Sequence, residues 1–205
     1  MKTEVLLATD PSALRYAHDV LRNNGLVAFP TDTVYGVGAL AFKPEAVQRL
    51  YIVKGRATDK AIAILVARSS DLLQVAQTLT PVAQKLALKF WPGPLTLVVS
   101  KYPGLPQAVS ALATVGVRQP DHLVAQKLLE LTGPLAVTSA NRSGEPNSLT
   151  AADVLAQLNG RIDLIIDGGP APGGIPSTVV DCTGLAPAIL RAGPVTAADI
   201  EQAMQ

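Results

Sequence analysis

Lys54 and Arg56 stand two residues apart around Gly55, and far downstream Ser139 and Asn141 flank Ala140. A compact ammonium, a planar guanidinium, a hydroxyl and a carboxamide are what a protein uses to hold a polyanion. Each pair lies between an apolar run and a turn signal, which places it at the rim of a sheet. The chain therefore reads as a nucleotide-using enzyme. If the segment after residue 53 is extended, Lys54 and Arg56 point the same way, toward phosphate. The same two cations would also suit a solvated helix exit, near the helix's negative end. Ser139 and Asn141 would equally suit an ordinary turn.

The elements that must position these groups follow from the hydrophobic pattern. Asp10-Pro11-Ser12 caps a helix with Leu14, Ala17, Val20 and Leu21 inward, and Gly25 stops it. Leu26–Phe29 is a buried strand. Pro44 opens a second helix ending near Val53, so that Lys54-Gly55-Arg56 falls in its exit loop. Ala61–Val66 is a central strand, residues 71–77 and Pro81–Phe90 are helices, and Trp91-Pro92-Gly93-Pro94 breaks sharply before a strand at 95–99. Thr114–Arg118 is a strand, 122–131 a helix, and 135–138 a strand whose carboxyl end delivers Ser139 to the ligand side of the sheet. A helix at Ala151–Leu158, a strand at Leu164–Asp167 and a hairpin of Thr178–Asp181 with Ala188–Arg191 complete a mixed sheet. A short helix precedes Gln205. The fold class is α/β (α+β), an open twisted mixed sheet with flanking helices and a concave face, in one domain spanning 1–205.

Composition bounds the function. With 205 residues, 48% apolar content and a formal net charge of +1, the chain lacks the basic excess of a non-specific nucleic-acid binder. Locally, Lys43, Arg49, Lys54, Arg56, Lys60 and Arg68 face only Glu45 and Asp59, an excess of +4 that could meet phosphates. Cys182 is the only cysteine, which excludes a disulfide framework and a thiolate metal cage and points to a reducing, cytoplasmic setting. The first seven residues read as a strand, not a signal peptide, and no run reaches membrane-spanning length. His18 and His122 have no second ligand at useful spacing, so no protein metal site is expected. The loop from Gly168 to Gly174 lacks the lysine and hydroxyl of a Walker loop and is expected to shape a pocket wall.

Pro30-Thr31-Asp32-Thr33-Val34-Tyr35-Gly36, Lys54-Gly55-Arg56, Trp91-Pro92-Gly93-Pro94-Leu95-Thr96, Ser139-Ala140-Asn141-Arg142-Ser143-Gly144 and Ser177-Thr178-Val179-Val180-Asp181 together resemble the YrdC-like family of threonylcarbamoyl-AMP synthases, in the family's order and over nearly the whole chain. The resemblance implies a reaction of L-threonine, bicarbonate and ATP that yields threonylcarbamoyl-adenylate and pyrophosphate, for modification of adenosine in tRNA. It implies Lys54, Arg56, Ser139 and Asn141 as catalytic groups on ATP. Lys60, Thr114, Ser148 and Arg191 resemble looser ATP contacts, and Ser177 and Thr178 are expected to donate to phosphate. Thr33, Arg118 and Thr138 map onto the threonine site. Magnesium would arrive with ATP, held mainly by phosphates and water. Ala57, Ala61 and Ala192 depart from the family pattern, the first two where prolines are common, which leaves those turns more mobile. The longer members carry a second carboxyl-terminal domain, and this chain resembles the short form. Partners implied are tRNA or double-stranded RNA and the downstream proteins that transfer threonylcarbamoyl to tRNA. Two other readings use the same residues: a non-catalytic paralogue that binds double-stranded RNA or tRNA, and a carbamoyl-transfer partner domain of a larger protein.

Overall fold

The computed structural model describes residues 2–205. Eleven strands form one mixed sheet: β1 (Glu4–Leu7), β2 (Val27–Phe29), β3 (Gly36–Leu40), β4 (Ala63–Leu65), β5 (Ala76–Thr78), β6 (Leu95–Lys101), β7 (Thr114–Arg118), β8 (Leu135–Ser139), β9 (Leu164–Asp167), β10 (Thr178–Asp181) and β11 (Ala188–Arg191). Their order is β1-β9-β2-β3-β8-β4-β7-β6-β10-β11, with β5 paired to β6 off this path. The sheet is mixed as expected: β4 and β7 run parallel, while β3 and β8 run antiparallel, with Gly36 opposite Ser139.

Among the described residues six helices cover it: α1 (Ala13–Arg22), α2 (Pro44–Lys54), α3 (Pro81–Phe90), α4 (Leu123–Thr132), α5 (Ala151–Leu158) and α6 (Ala197–Met204). Strand alternation builds two cores. Val27, Phe29, Leu135, Leu164 and Ile166 pack with α1 and α4 on one face. Ala28, Ile64, Leu97, Val117, Ala136 and Ile165 pack with the other helices on the opposite face. Both cores are closed to water, and each fully buried leucine or isoleucine contributes roughly 1.5–3 kcal/mol.

The differences from the expected elements have local causes. β3 contains two glycines in five residues, so its propensity argues against a strand, yet β2 and β8 flank it and satisfy its backbone on both edges. Residues 69–74 form a 3-10 turn, and Ala76–Thr78 pairs with β6 in place of the expected helix over 71–77. At the end of α1 it is Asn24 that takes the left-handed conformation, with φ 61°, and Gly25 serves close packing against Val20. At its start the Ser12 side chain makes no cap; Asp10 instead accepts from the Ser12 N–H at 2.8 Å and its hydroxyl at 2.7 Å.

Candidate active site

On the sheet face where α1 and α4 pack against β2, β8 and β9, a cavity opens over the central strands. The alternation that buries Leu97, Val115, Val117 and Val180 turns Thr96, Val98, Gly116, Arg118 and Val179 toward this opening. They floor a cavity of about 350 Å³. Thr31, Thr33, Arg56, Thr138, Ser139, Asn147, Pro176, Ser177 and Arg191 form its walls. Chain segments far apart in sequence thus present hydroxyls and three guanidiniums to one space.

Arg118, at the end of β7, is buried, and three of its five N–H groups are engaged. Nε donates to the Gly93 carbonyl at 3.0 Å and Nη1 to the Thr33 hydroxyl at 2.9 Å, while Nη2 pairs with the Asp32 carboxylate. The remaining N–H groups suit a planar carboxylate. Thr33 is itself fixed, its hydroxyl 3.0 Å from that of Thr31, which donates to the Val34 carbonyl at 2.7 Å. Desolvation pulls the Arg118 pKa down, and the neighbouring Asp32 opposes that pull.

Lys54 departs from the expected exit loop. It is the last residue of α2, and the turn follows at Gly55, whose φ of 60° a residue with a side chain adopts only at a cost. Lys54 and Arg56 accordingly do not project side by side. The Lys54 ammonium is buried beneath the Ser139-Ala140-Asn141 turn and donates to the Ser139 and Asn141 carbonyls. The Lys54 carbonyl in turn accepts from Ser143 N–H at 2.9 Å. Burial first, and then the nearby Arg56 charge, lower the Lys54 pKa to about 8. The two carbonyls favour the protonated form and work against both.

Arg56 lies at the cavity wall, folded onto its own loop through the Lys60 carbonyl at 3.2 Å and the Ala61 carbonyl at 2.9 Å. Arg191 reaches across from β11 to the Ser177 carbonyl at 2.7 Å and hydroxyl at 3.2 Å. Desolvation lowers the pKa of both guanidiniums, and Arg56 further lowers that of Arg191. Arg191 keeps access to solvent despite this crowding.

The remaining expected residues sit elsewhere. Ser177 and Thr178 cannot both face the cavity, because neighbours in an extended chain point to opposite faces. Ser177 does, 2.8 Å from the Thr96 hydroxyl. Thr178 is fully buried, its hydroxyl donating to the Val195 carbonyl at 2.7 Å, so the donor expected there is committed to the fold. Ser148 is also fully buried and donates to the Ala140 carbonyl at 2.7 Å, bracing the turn from behind. Asn141 is buried in the turn, its amide N–H groups on the Arg142 and Glu145 carbonyls and its Oδ1 without a partner. Thr114 shares the Gly116 and Arg118 face of β7 but lies outside the cavity lining. Lys60 is exposed in the loop after Arg56. The +4 run is dispersed: Arg49 pairs with Asp163, Arg68 with Glu130, Lys43 donates to Arg22, and Lys54 is buried.

Thr31, Asp32 and Thr96 lay within the family motifs without a role of their own, and Asn147 was not expected at the site. Thr96 carried a signal, being the polar alternate in Leu95-Thr96-Leu97. The loop 168–176 packs on the threonine loop: Gly174 N–H donates to the Thr33 carbonyl at 2.8 Å, and a Cβ on Gly173 would lie 2.5 Å from the Asp32 carbonyl oxygen.

The fold is an open mixed sheet whose central strands floor a cavity lined by hydroxyls and guanidiniums, groups suited to an anionic small molecule. The family model for Sua5, YciO and YrdC, described as telomere recombination, matches residues 19–193, and the chain belongs to that family. A threonylcarbamoyl-AMP synthase of Pyrococcus abyssi is 43% identical over 191 residues, which span 92% of this chain and 56% of the relative. A protein of Mycobacterium tuberculosis (strain ATCC 25618 / H37Rv) named putative threonylcarbamoyl-AMP synthase is 38% identical, covering 98% of this chain and 95% of that one. The crystal structure of P. abyssi Sua5 complexed with L-threonine superposes with a TM-score of 0.94 at 40% identity, over 100% of this chain and 61% of that one. The chain thus spans little more than half of the archaeal relative.

Proposed function

We propose that this chain is an L-threonylcarbamoyladenylate synthase. The amine of L-threonine and bicarbonate form a carbamate with loss of water, a carbamate oxygen attacks the α-phosphorus of ATP, and the bond to pyrophosphate breaks. The attack brings negative charge to negative charge, so the protein's task is to screen, orient and exclude water. Its carrying observation is the single cavity in which Arg118, Thr33 and Thr138 meet Arg56, Ser139, Ser177 and Arg191. Arg118 and Thr33 hold the amino acid's carboxylate, with Thr138 beside them. Arg56, Arg191 and the Ser139 and Ser177 hydroxyls take the triphosphate, with Lys60 free to swing in from its loop. Lys54 contributes charge from beneath the turn and fixes Ser139 and Asn141, and Ser148 supports the same turn. Thr114 lies further along β7 and could reach only an extended part of the nucleotide.

Among the described residues no group of three His, Cys, Asp or Glu is placed to hold a metal ion, and we assign magnesium to ATP as part of the substrate. No helix among the described residues is long and apolar enough to cross a membrane. The adenylate would pass to tRNA threonylcarbamoyl-transfer proteins, with cytoplasm the expected compartment and tRNA or double-stranded RNA the nucleic acid the chain would meet. The similarity to a Sua5 protein solved with L-threonine supports the catalytic reading over the RNA-binding one. The test is pyrophosphate release from ATP, L-threonine and bicarbonate, each omitted in turn. Release that requires all three is expected; release without threonine, or none despite ATP binding, overturns the reading.

A further inference from the structure

The three arginines of the cavity differ in their pairing. Arg118 is held by a carboxylate, that of Asp32, whereas among the described residues Arg56 and Arg191 make no ion pair and rest on backbone carbonyls. The side chains of Arg118 and Asp32 are 7% and 12% exposed. Asp32 Oδ1 also accepts from Asp121 N–H at 3.1 Å, while Oδ2 is buried with no partner. A buried carboxylate oxygen without a donor is costly. The Gly93 carbonyl and Thr33 hydroxyl already fix the guanidinium from two sides, so orientation alone does not call for a charge there.

We propose that Asp32 is a specificity-determining residue that divides the cavity between two substrates. By pairing with Arg118 it cancels most of that charge, so this end admits a zwitterion and refuses phosphate. A zwitterionic amino acid turns its carboxylate to the remaining N–H groups of Arg118 and its ammonium toward the negative field of Asp32, which acts from outside the cavity lining. A phosphate in the same place would meet a guanidinium whose charge Asp32 already offsets from outside the cavity lining, in surroundings that screen poorly. Polyphosphate is drawn instead to the unpaired Arg56 and Arg191. This inference rests on the synthase reading and deepens it: without it, the anionic substrate in excess would occupy both ends.

Asp32→Asn removes the charge and keeps an oxygen for Arg118 and Asp121. Calorimetry on the whole chain with inorganic pyrophosphate and L-threonine reads the result. In the native protein, saturating threonine should leave pyrophosphate affinity unchanged. In Asp32→Asn, pyrophosphate should bind about tenfold tighter and compete with threonine, whose own affinity falls about tenfold. Thr33→Val keeps the charge pair and loses one bond to Arg118, so it should weaken threonine without making pyrophosphate competitive. If Asp32→Asn behaves as the native protein, or loses threonine without gaining pyrophosphate competition, the proposal is overturned and Asp32 only holds Arg118 in place. A native protein that binds no threonine overturns the synthase reading as well, a failure visible before any variant is made. Asp32→Ser replaces the variant should thermal melting show that Asp32→Asn is unfolded.

Discussion

Replacing Lys54 by methionine separates what this lysine does for the fold from what it does for the site. The difference between its lowered pKa of about 8 and the ordinary 10.5 corresponds to roughly 3 kcal/mol against the buried ammonium. Methionine removes that penalty, but it leaves the Ser139 and Asn141 carbonyls without their donor, at about 1–3 kcal/mol each. The two effects oppose, so net stability should change by no more than about 3 kcal/mol in urea unfolding. The Ser139-Ala140-Asn141 turn, however, loses the contact that ties it to α2, and ATP turnover should fall at least ~100-fold.

Wild-type pH behaviour supplies a second signature. Lysine carries a lower pKa folded than unfolded, so between about pH 8 and 10.5 the folded state binds fewer protons and stability rises with pH. Below about 8 both states are protonated and the penalty is fully present. Activity should move the other way, falling as the ammonium discharges above about pH 8. Stability increasing while turnover declines would be hard to produce from general alkaline unfolding. A Lys54→Met protein that keeps turnover within twofold of the native chain, or native stability that falls steadily from pH 8 upward, would refute the reasoning.

The other predictions probe single contacts. Ser177→Ala should raise KM for ATP about tenfold and, by leaving the Thr96 hydroxyl without its partner, cost about 1 kcal/mol, whereas Thr178→Val should cost about 1–3 kcal/mol of stability with KM for ATP unaltered. Arg56→Ala should raise KM for ATP at least ~10-fold while threonine binding, measured by calorimetry, stays within twofold. Gly173→Ala must push against the backbone of Asp32 and Thr33, so KM for threonine should rise several-fold with the ATP value unchanged, as steady-state kinetics would show.

Much of the fold was legible because the strands alternate cleanly. Thr114-Val115-Gly116-Val117-Arg118 and Leu95-Thr96-Leu97 carry core residues on one face and small or polar residues on the other, so strand and cavity floor come from one pattern. β3 was not legible, since Gly36-Val37-Gly38 has weak local preference and becomes a strand only between β2 and β8. Ser139, Arg118 and Arg191, expected from residue type and family motif, all line the cavity. The burial of Lys54 could not, because it depends on a turn 85 residues away closing over the end of α2. Thr178 misled for a simpler reason: its type suits phosphate, and only the parity of an extended chain sends it into the core beside Ser177 facing out.

The placement of Lys54 bears on how the cavity holds charge. Arg56 lowers the pKa of Lys54 and of Arg191, and Arg191 lowers that of Arg118, so the cations already repel one another when the site is empty. A backbone scaffold that tolerates this must be held by other bonds, and here it is: carbonyls of Ser139, Asn141, Lys60, Ala61, Ser177 and Gly93 each accept from one of the four. The cations are therefore fixed in advance, and on the proposed reading a triphosphate would relieve repulsion without having to gather mobile side chains. That is the arrangement adenylate formation calls for, because charge on the departing pyrophosphate is met by groups that need little reorganisation. A surface built to track an RNA backbone would instead spread exposed cations along a path. In this chain the exposed Arg68 is spent on Glu130, and the converging positive charge lies inside the cavity or beneath its wall.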